Sequence, residues 1–200
     1  MKRILSVFVF LMSFSVAVAF SADEKNYVEN LIRSKSNQIL SIIKQKDISE
    51  KEKKKRIFEI GSPLFDFDTM AKLALGRKHW ASLSQTQKKR FTDLFVKRLK
   101  MTYLDRATFY GNETVRFKPA IAKGKRKVYV PSIVSSKGEN TSVIYKFWKS
   151  PKGWKIYDVE VEGVSIIRTY RSQFAQILRK GTIDDLFKKL EELTQQAPKK

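Results

Sequence analysis

The sequence predicts an α+β fold, a twisted antiparallel four-stranded meander sheet covered by helices. Three observations lead there. Apolar residues recur with a helical period to about Tyr103, with period two from Gly111 to Val161, and with a helical period again beyond it. The period-two segments are short and joined by Gly-containing turns, the pattern of hairpins. Strands bounded on both sides by helices place the helices on one face of a sheet.

The chain opens with Lys2 and Arg3 ahead of an apolar run, Ile4 to Phe20, broken only by Ser6, Ser13 and Ser15. Ala17-Val18-Ala19 puts small residues where a signal peptidase reads them, so residues 1–19 read as a secretory signal peptide. The run is near the lower limit for a spanning helix, which makes a retained anchor the alternative. The polar, charged segment after it favours the signal peptide. Residues 20–200 are then long enough for a single domain with a sizeable core.

Residues 23–46 read as a helix with Val28, Ile32, Ile39 and Ile43 on one side. Ser49 with Glu52 fits a capping box and opens a second helix to about Ile60, ended by Gly61-Ser62-Pro63. Asp66 or Asp68 caps a short helix through Leu75, closed by Gly76. Ser84 with Gln87 is another capping box. It opens a long helix to about Tyr103, or to Phe109, carrying Phe91, Leu94, Phe95, Leu99 and Tyr103.

The four expected strands are Thr114–Ile121, Lys127–Ser135, Thr141–Trp148 and Trp154–Val161. Alternation assigns Tyr145, Phe147, Tyr157, Val159 and Val161 to the inner face. Gly163 turns the chain into a helix at 165–180. Its apolar face carries Val164, Ile167, Tyr170 and Phe174, and its polar face Arg168, Arg171 and Gln173. Gly181 separates it from a helix at 183–195, capped by Thr182 with Asp185, and residues 195–200 read as a frayed tail.

Residue chemistry removes several function classes. The chain has no cysteine, which excludes thiol catalysis, Cys-based zinc sites and thiol redox function. His79 is the single histidine, there is no GxSxG, and the two-His spacings of metalloproteases are impossible, so an enzyme is not expected. Asp66 and Asp68 suit helix capping better than a metal site. Asp158, Glu160 and Glu162 suit a surface ion-pair ladder better than paired catalytic carboxylates.

Formal net charge is +21, and +19 without Lys2 and Arg3, a field that attracts polyanions or acidic partners. Lys51, Lys53, Lys54, Lys55 and Arg56 cluster on the second helix, and Lys123, Lys125, Arg126 and Lys127 near a turn. The remaining cations are dispersed, as on a solvated surface.

Two blocks carry a family resemblance. YDVEVEGVSIIRTYRSQF (Tyr157–Phe174) is the longer, and FDFDTMAKLALGRKHW (Phe65–Trp80) is extended by Phe91, Phe95 and Tyr103. In these the chain resembles the MlaC family of periplasmic phospholipid-binding proteins, or toluene-tolerance auxiliary proteins, which serve a lipid ABC transport system. The resemblance implies a cone-like domain whose apolar cavity takes the acyl chains and leaves the headgroup in solvent. It implies a carrier that shuttles phospholipid between outer- and inner-membrane complexes and so maintains outer-membrane lipid asymmetry. The partners implied are an outer-membrane lipoprotein–porin complex and the ring subunit of an inner-membrane ABC transporter, which hydrolyses the ATP. A phospholipid is the cargo; no cofactor, no metal and no nucleic acid are expected, and the protein is expected to be a monomer.

With the apolar block placed at the cavity by that resemblance, the expected lipid-binding residues are Tyr145, Phe147, Tyr157, Val159 and Val161 from the sheet. Val164, Ile167, Tyr170 and Phe174 join them from the following helix, and Leu99 and Tyr103 from the long one. Apolar walls do not discriminate headgroups left in water, so weak headgroup selectivity is expected, with Arg168 and Arg171 as the candidates to touch a phosphate or else to be solvated. The alternative function is a periplasmic polyanion- or partner-binding module that uses the basic surface and has no lipid cavity.

Overall fold

Helix caps punctuate the first half of the chain where the sequence sets them. The structure is a computed structural model that describes residues 22–104 and 112–195. The expected signal peptide, the extension towards Phe109 and the tail beyond Gln195 lie outside the described residues. Helix α1 (Ala22–Lys44) precedes α2 (Glu50–Gly61), whose Ser49 cap accepts the Glu52 N–H at 3.2 Å. A 3₁₀ turn (Ser62–Leu64) leads into α3 (Phe67–Leu75) and α4 (Arg77–Ser82). Of the two candidate caps, Asp66 is the one used: its carboxylate accepts the Thr69 N–H at 3.0 Å. Gly76 ends α3 at φ +87°, a conformation that disfavours any side chain. Helix α4 has no counterpart in the sequence expectation, because it is too short to show a periodic stripe. Helix α5 (Gln85–Leu99) opens on the Ser84–Gln87 capping box and widens into a π turn at Lys100–Leu104.

The strands are β1 (Thr114–Phe117), β2 (Ile121–Ala122), β3 (Lys127–Ser136), β4 (Glu139–Ser150), β5 (Gly153–Val161) and β6 (Val164–Ser165). They form an antiparallel sheet in the order β1-β3-β4-β5-β6, with β2 also paired to β3. The meander is the expected one, but among the described residues the sheet has six strands instead of four. Pro119, which has no N–H for the ladder, divides the first expected strand into β1 and β2. The turn at Glu162-Gly163 adds β6. At the β3–β4 turn, Lys137 and Gly138 both have positive φ (48° and 85°), which matches the twist of the flanking strands. Pairing therefore continues out to Ser136 and Glu139.

Three rows of side chains cross the inner face: Val128–Phe147–Ile156, Val130–Tyr145–Val159 and Ser132–Val143–Val161. Between the first two, β5 carries one unpaired residue, Tyr157. This bulge corrects the expected alternation. It puts Tyr157 on the outer side with Asp158, and the Tyr157 hydroxyl lies 3.1 Å from that of Tyr129.

Two hydrophobic cores result. In one, Val28 and Ile32 of α1 and Leu64 cover Val128, Val130, Phe147 and Ile156. The other is helical and joins α3 and α5 to α6 (Ile166–Lys180) and α7 (Ile183–Gln195). Its aromatic rings meet edge to face, Phe91 with Phe174 at 5.6 Å and Phe95 with Tyr170 at 5.2 Å. Among the described residues no helix is long and apolar enough to cross a bilayer.

Polar bonds fasten the helical layer to the sheet. Asp66 donates its N–H to the Ile156 carbonyl at 2.9 Å and accepts from Trp148 Nε1 at 3.0 Å. Asp158 accepts the Ile167 N–H at 3.2 Å and the Ser165 hydroxyl at 2.8 Å, which holds the start of α6 against β5. The Lys146 ammonium lies 3.1 Å from Asp158 and 2.6 Å from Glu160. The cation expected on the neighbouring strand is therefore present, but the ladder is not at the surface: Lys146 and Asp158 are 9% and 6% exposed. Burial by itself would lower the Lys146 pKa; hydrogen bonds to Glu160 and Asp158 outweigh it and raise the pKa above the usual lysine value.

Replacing Lys146 leaves two carboxylates without their shared counterion. Lys146→Met should cost about 3 kcal/mol in urea unfolding. Lys149→Met breaks only a more exposed pair with Glu24 and should stay within about 1 kcal/mol. Equal losses in the two variants would contradict the buried character of the Lys146 network.

Candidate functional site, an apolar cavity between two cores

Helix α1 covers only part of the inner sheet face. Val28 and Ile32, the first half of its apolar stripe, are packed on the sheet, whereas Ile39 and Ile43 of the same stripe border open space. The rows Val130–Tyr145–Val159 and Ser132–Val143–Val161 are thus left partly uncovered. Two adjoining chambers lie over them.

The inner chamber, about 380 Å³, is lined from the sheet by Val143, Tyr145, Val159 and Val161. Ile57 and Phe58 of α2 face them, with Leu99, Tyr103 and Leu104 from the end of α5 and its π turn. Phe65, Phe67, Met70 and Ile166 also line it. Among the described residues Lys100 is its one charged lining residue, and the Lys100 ammonium sits 4.4 Å above the Phe58 ring. The outer chamber, about 640 Å³, has an apolar side (Ile39, Leu40, Ile43, Val115 and Val134) and a polar rim of Ser36, Glu113, Ser136, Lys137, Glu139 and Thr141. Ile39, Tyr103, Val143 and Tyr145 line both chambers, which makes them continuous. Both volumes fall in the range of roughly 300–1,000 Å³ typical of ligand pockets.

Electrostatics follow the same division. Burial raises the Tyr145 phenol pKa, against a smaller lowering by its bond with Ser132, so the ring stays neutral. Burial also raises the Glu113 carboxyl pKa. Among the described residues the inner lining contains no carboxylate and no histidine. It offers hydrocarbon contact and no nucleophile–base pair. Among the described residues no group of His, Asp and Glu could hold a metal.

Of the eleven residues expected at the cavity, Leu99, Tyr103, Tyr145, Val159 and Val161 line it. The other six lie elsewhere. Phe147 shares the inner face but is sealed under α1. The bulge turns Tyr157 outwards, where Lys127 stacks on its ring at 5.3 Å. Val164, on the short strand β6, is 60% exposed. Ile167, Tyr170 and Phe174 are buried in the helical core. The reason is the anchoring of α6 by Asp158, which directs its stripe towards α3 and α5, so only Ile166 in its first turn reaches the cavity.

Several lining residues escaped the sequence reading. Val143 was legible, since it alternates with Tyr145. Ile39 and Ile43 were legible as a helix face but not as a wall. Ile57 and Phe58 sit in a lysine-rich helix with no clear stripe. Arg168, with its side chain 74% exposed, lies 3.9 Å from Glu160, and the Arg171 guanidinium lies beside Gly76. Neither lines the cavity.

Comparison with known proteins places this geometry. The MlaC protein family model matches residues 33–192. The toluene tolerance protein ttg2D of Pseudomonas putida is 27% identical over 123 residues, which are 61% of this chain and 57% of that protein. The match thus spans little more than half of that relative's length. A phospholipid-binding protein from Ralstonia solanacearum, solved in complex with a phospholipid, superposes with a TM-score of 0.76 at 29% identity, covering 86% of this chain and 98% of that one.

A charge in the inner chamber should expel apolar guests without unfolding the protein. Val161→Glu should abolish binding of a fluorescent fatty-acyl probe, and Val164→Glu, at an exposed position, should leave it unchanged. The reverse order would show that the cavity lies on the other side of β5.

Proposed function

The chain belongs to the MlaC family, and on that premise we propose that it is a phospholipid carrier of the periplasm. In this reading residues 1–19 are removed on export, and the remaining domain shuttles lipid between an outer-membrane lipoprotein–porin complex and the ring subunit of an inner-membrane ABC transporter. That traffic maintains outer-membrane lipid asymmetry. The carrier performs no chemistry itself; ATP is hydrolysed by the transporter.

The observation that carries the reading is the continuous cavity, apolar within and polar at its rim, in a fold shared with a protein solved with a phospholipid. Leu99, Tyr103, Tyr145, Val159 and Val161 hold acyl chains, together with Val143, Ile57 and Ile166. Each buried CH₂ is worth about 0.8 kcal/mol, so two sixteen-carbon chains contribute more than roughly 20 kcal/mol gross. Withdrawing the same chains from a bilayer costs a comparable amount. Exchange between membrane and protein is then near neutral, as a reversible carrier requires.

A second reading rests on the outer sheet face. There Arg126 stacks on Trp148 at 5.7 Å, Lys127 on Tyr157 at 5.3 Å and Lys123 on Tyr129 at 6.0 Å, a cationic end suited to a polyanion. It does not account for the cavity.

Native mass spectrometry of the purified protein separates the two. The carrier should retain about one diacyl phospholipid per chain and accept one from vesicles after delipidation. Protein that carries no lipid, acquires none, and binds heparin in a salt-sensitive manner would support the second reading instead.

A further inference from the structure

The outer chamber departs from the charge of the rest of the chain. The sequence has 41 Lys and Arg against 20 Asp and Glu. Among the described residues, the charged ones that line the outer chamber reverse that balance: Glu113, Glu139 and Lys137. Lys137 and Glu139 are held at the rim by the tight β3–β4 turn, and Glu113 immediately precedes β1 on the neighbouring edge of the sheet. Ser136 and Thr141 add hydroxyls between them.

We propose that this rim is a headgroup site that selects ammonium-bearing zwitterionic phospholipids over anionic ones, with Glu113 and Glu139 receiving the ammonium and Lys137 the phosphate. The inference rests on the carrier reading and refines it. A phospholipid whose acyl chains fill the inner chamber places its phosphate at the polar rim. The phosphate is common to all such lipids, so its contact with Lys137 does not discriminate. The group beyond the phosphate does. An ethanolamine ammonium gains attraction from two carboxylates, whereas a glycerol headgroup brings no compensating cation and leaves its net negative charge beside them. Burial withdraws Glu113 partly from water, which disfavours its lone charge and raises its carboxyl pKa, and the same reduced screening favours a cation placed beside it. The arginines of α6 do not contribute, because Arg168 and Arg171 lie away from the cavity.

Exposure at the rim limits the effect to that of partly solvated ion pairs, about two- to fivefold in selectivity. Delipidated protein is incubated with vesicles of equal phosphatidylethanolamine and phosphatidylglycerol with matched acyl chains, and the bound lipids are extracted and quantified by mass spectrometry. The wild-type protein should be enriched in phosphatidylethanolamine by that factor over the vesicle. The double variant Glu113→Gln, Glu139→Gln should take up the two lipids at the vesicle ratio. As a ligand-side control, N-acetylated phosphatidylethanolamine, which keeps the phosphate and lacks the ammonium, should show no enrichment on the wild-type protein. A wild-type ratio equal to the vesicle's, or equal enrichment of the N-acetylated lipid, overturns the headgroup site while leaving the carrier intact. Failure to load either lipid overturns both.

Discussion

Two aspartates fasten the helical layer to the sheet, and the cavity exists because that fastening is polar and local. Asp66 caps α3 while bonding to Ile156 and Trp148 of the sheet. Asp158 receives the first turn of α6 and pairs with Lys146. Both attachments concentrate at β5 and its neighbour β4. Away from them each layer builds its own core, α1 against the sheet and the remaining helices against one another. Apolar packing across the whole interface would have closed the space. Directed bonds at one place hold the layers together and leave apolar side chains of both facing a shared void.

The cost of that arrangement is hydrophobic surface with no protein partner. Tyr145, Val143, Val159 and Val161 would be ordinary core residues if α1 continued along the sheet. Instead the lower half of the α1 stripe lines the outer chamber, and the π turn after α5 brings Tyr103 and Leu104 to the inner one. A π turn shifts the side chains after it from the stripe of the preceding α-helix, which is one reason such turns recur at binding sites. In the carrier reading a lipid chain supplies the missing contacts, and the cargo completes the core.

Much of this was written locally in the sequence. Capping pairs such as Ser84 with Gln87, the turn glycines and the change of period from helical to two located the helices and the meander. The expectation failed where a single residue or a tertiary contact decides. Tyr157 alternates correctly on paper, but the bulge at that position reverses its face, and a bulge leaves no mark in the hydrophobic pattern. Ile167, Tyr170 and Phe174 form a true apolar face, yet the pattern does not say which neighbour covers it. The ion ladder was legible as charges on adjacent strands, while its burial depends on how Asp158 is folded under the start of α6.

Mapping where hydrocarbon sits decides whether the space between the two cores is the lipid site. A phospholipid carrying a photoreactive diazirine along one acyl chain can be loaded, irradiated and located by peptide mass spectrometry. Crosslinks should fall on Leu99, Tyr103, Val143, Tyr145 and Val161, the residues facing the space between the two cores. Crosslinks confined to the outer sheet face at Tyr129 and Tyr157, or to Val164, would contradict the assignment of the cavity as the lipid site.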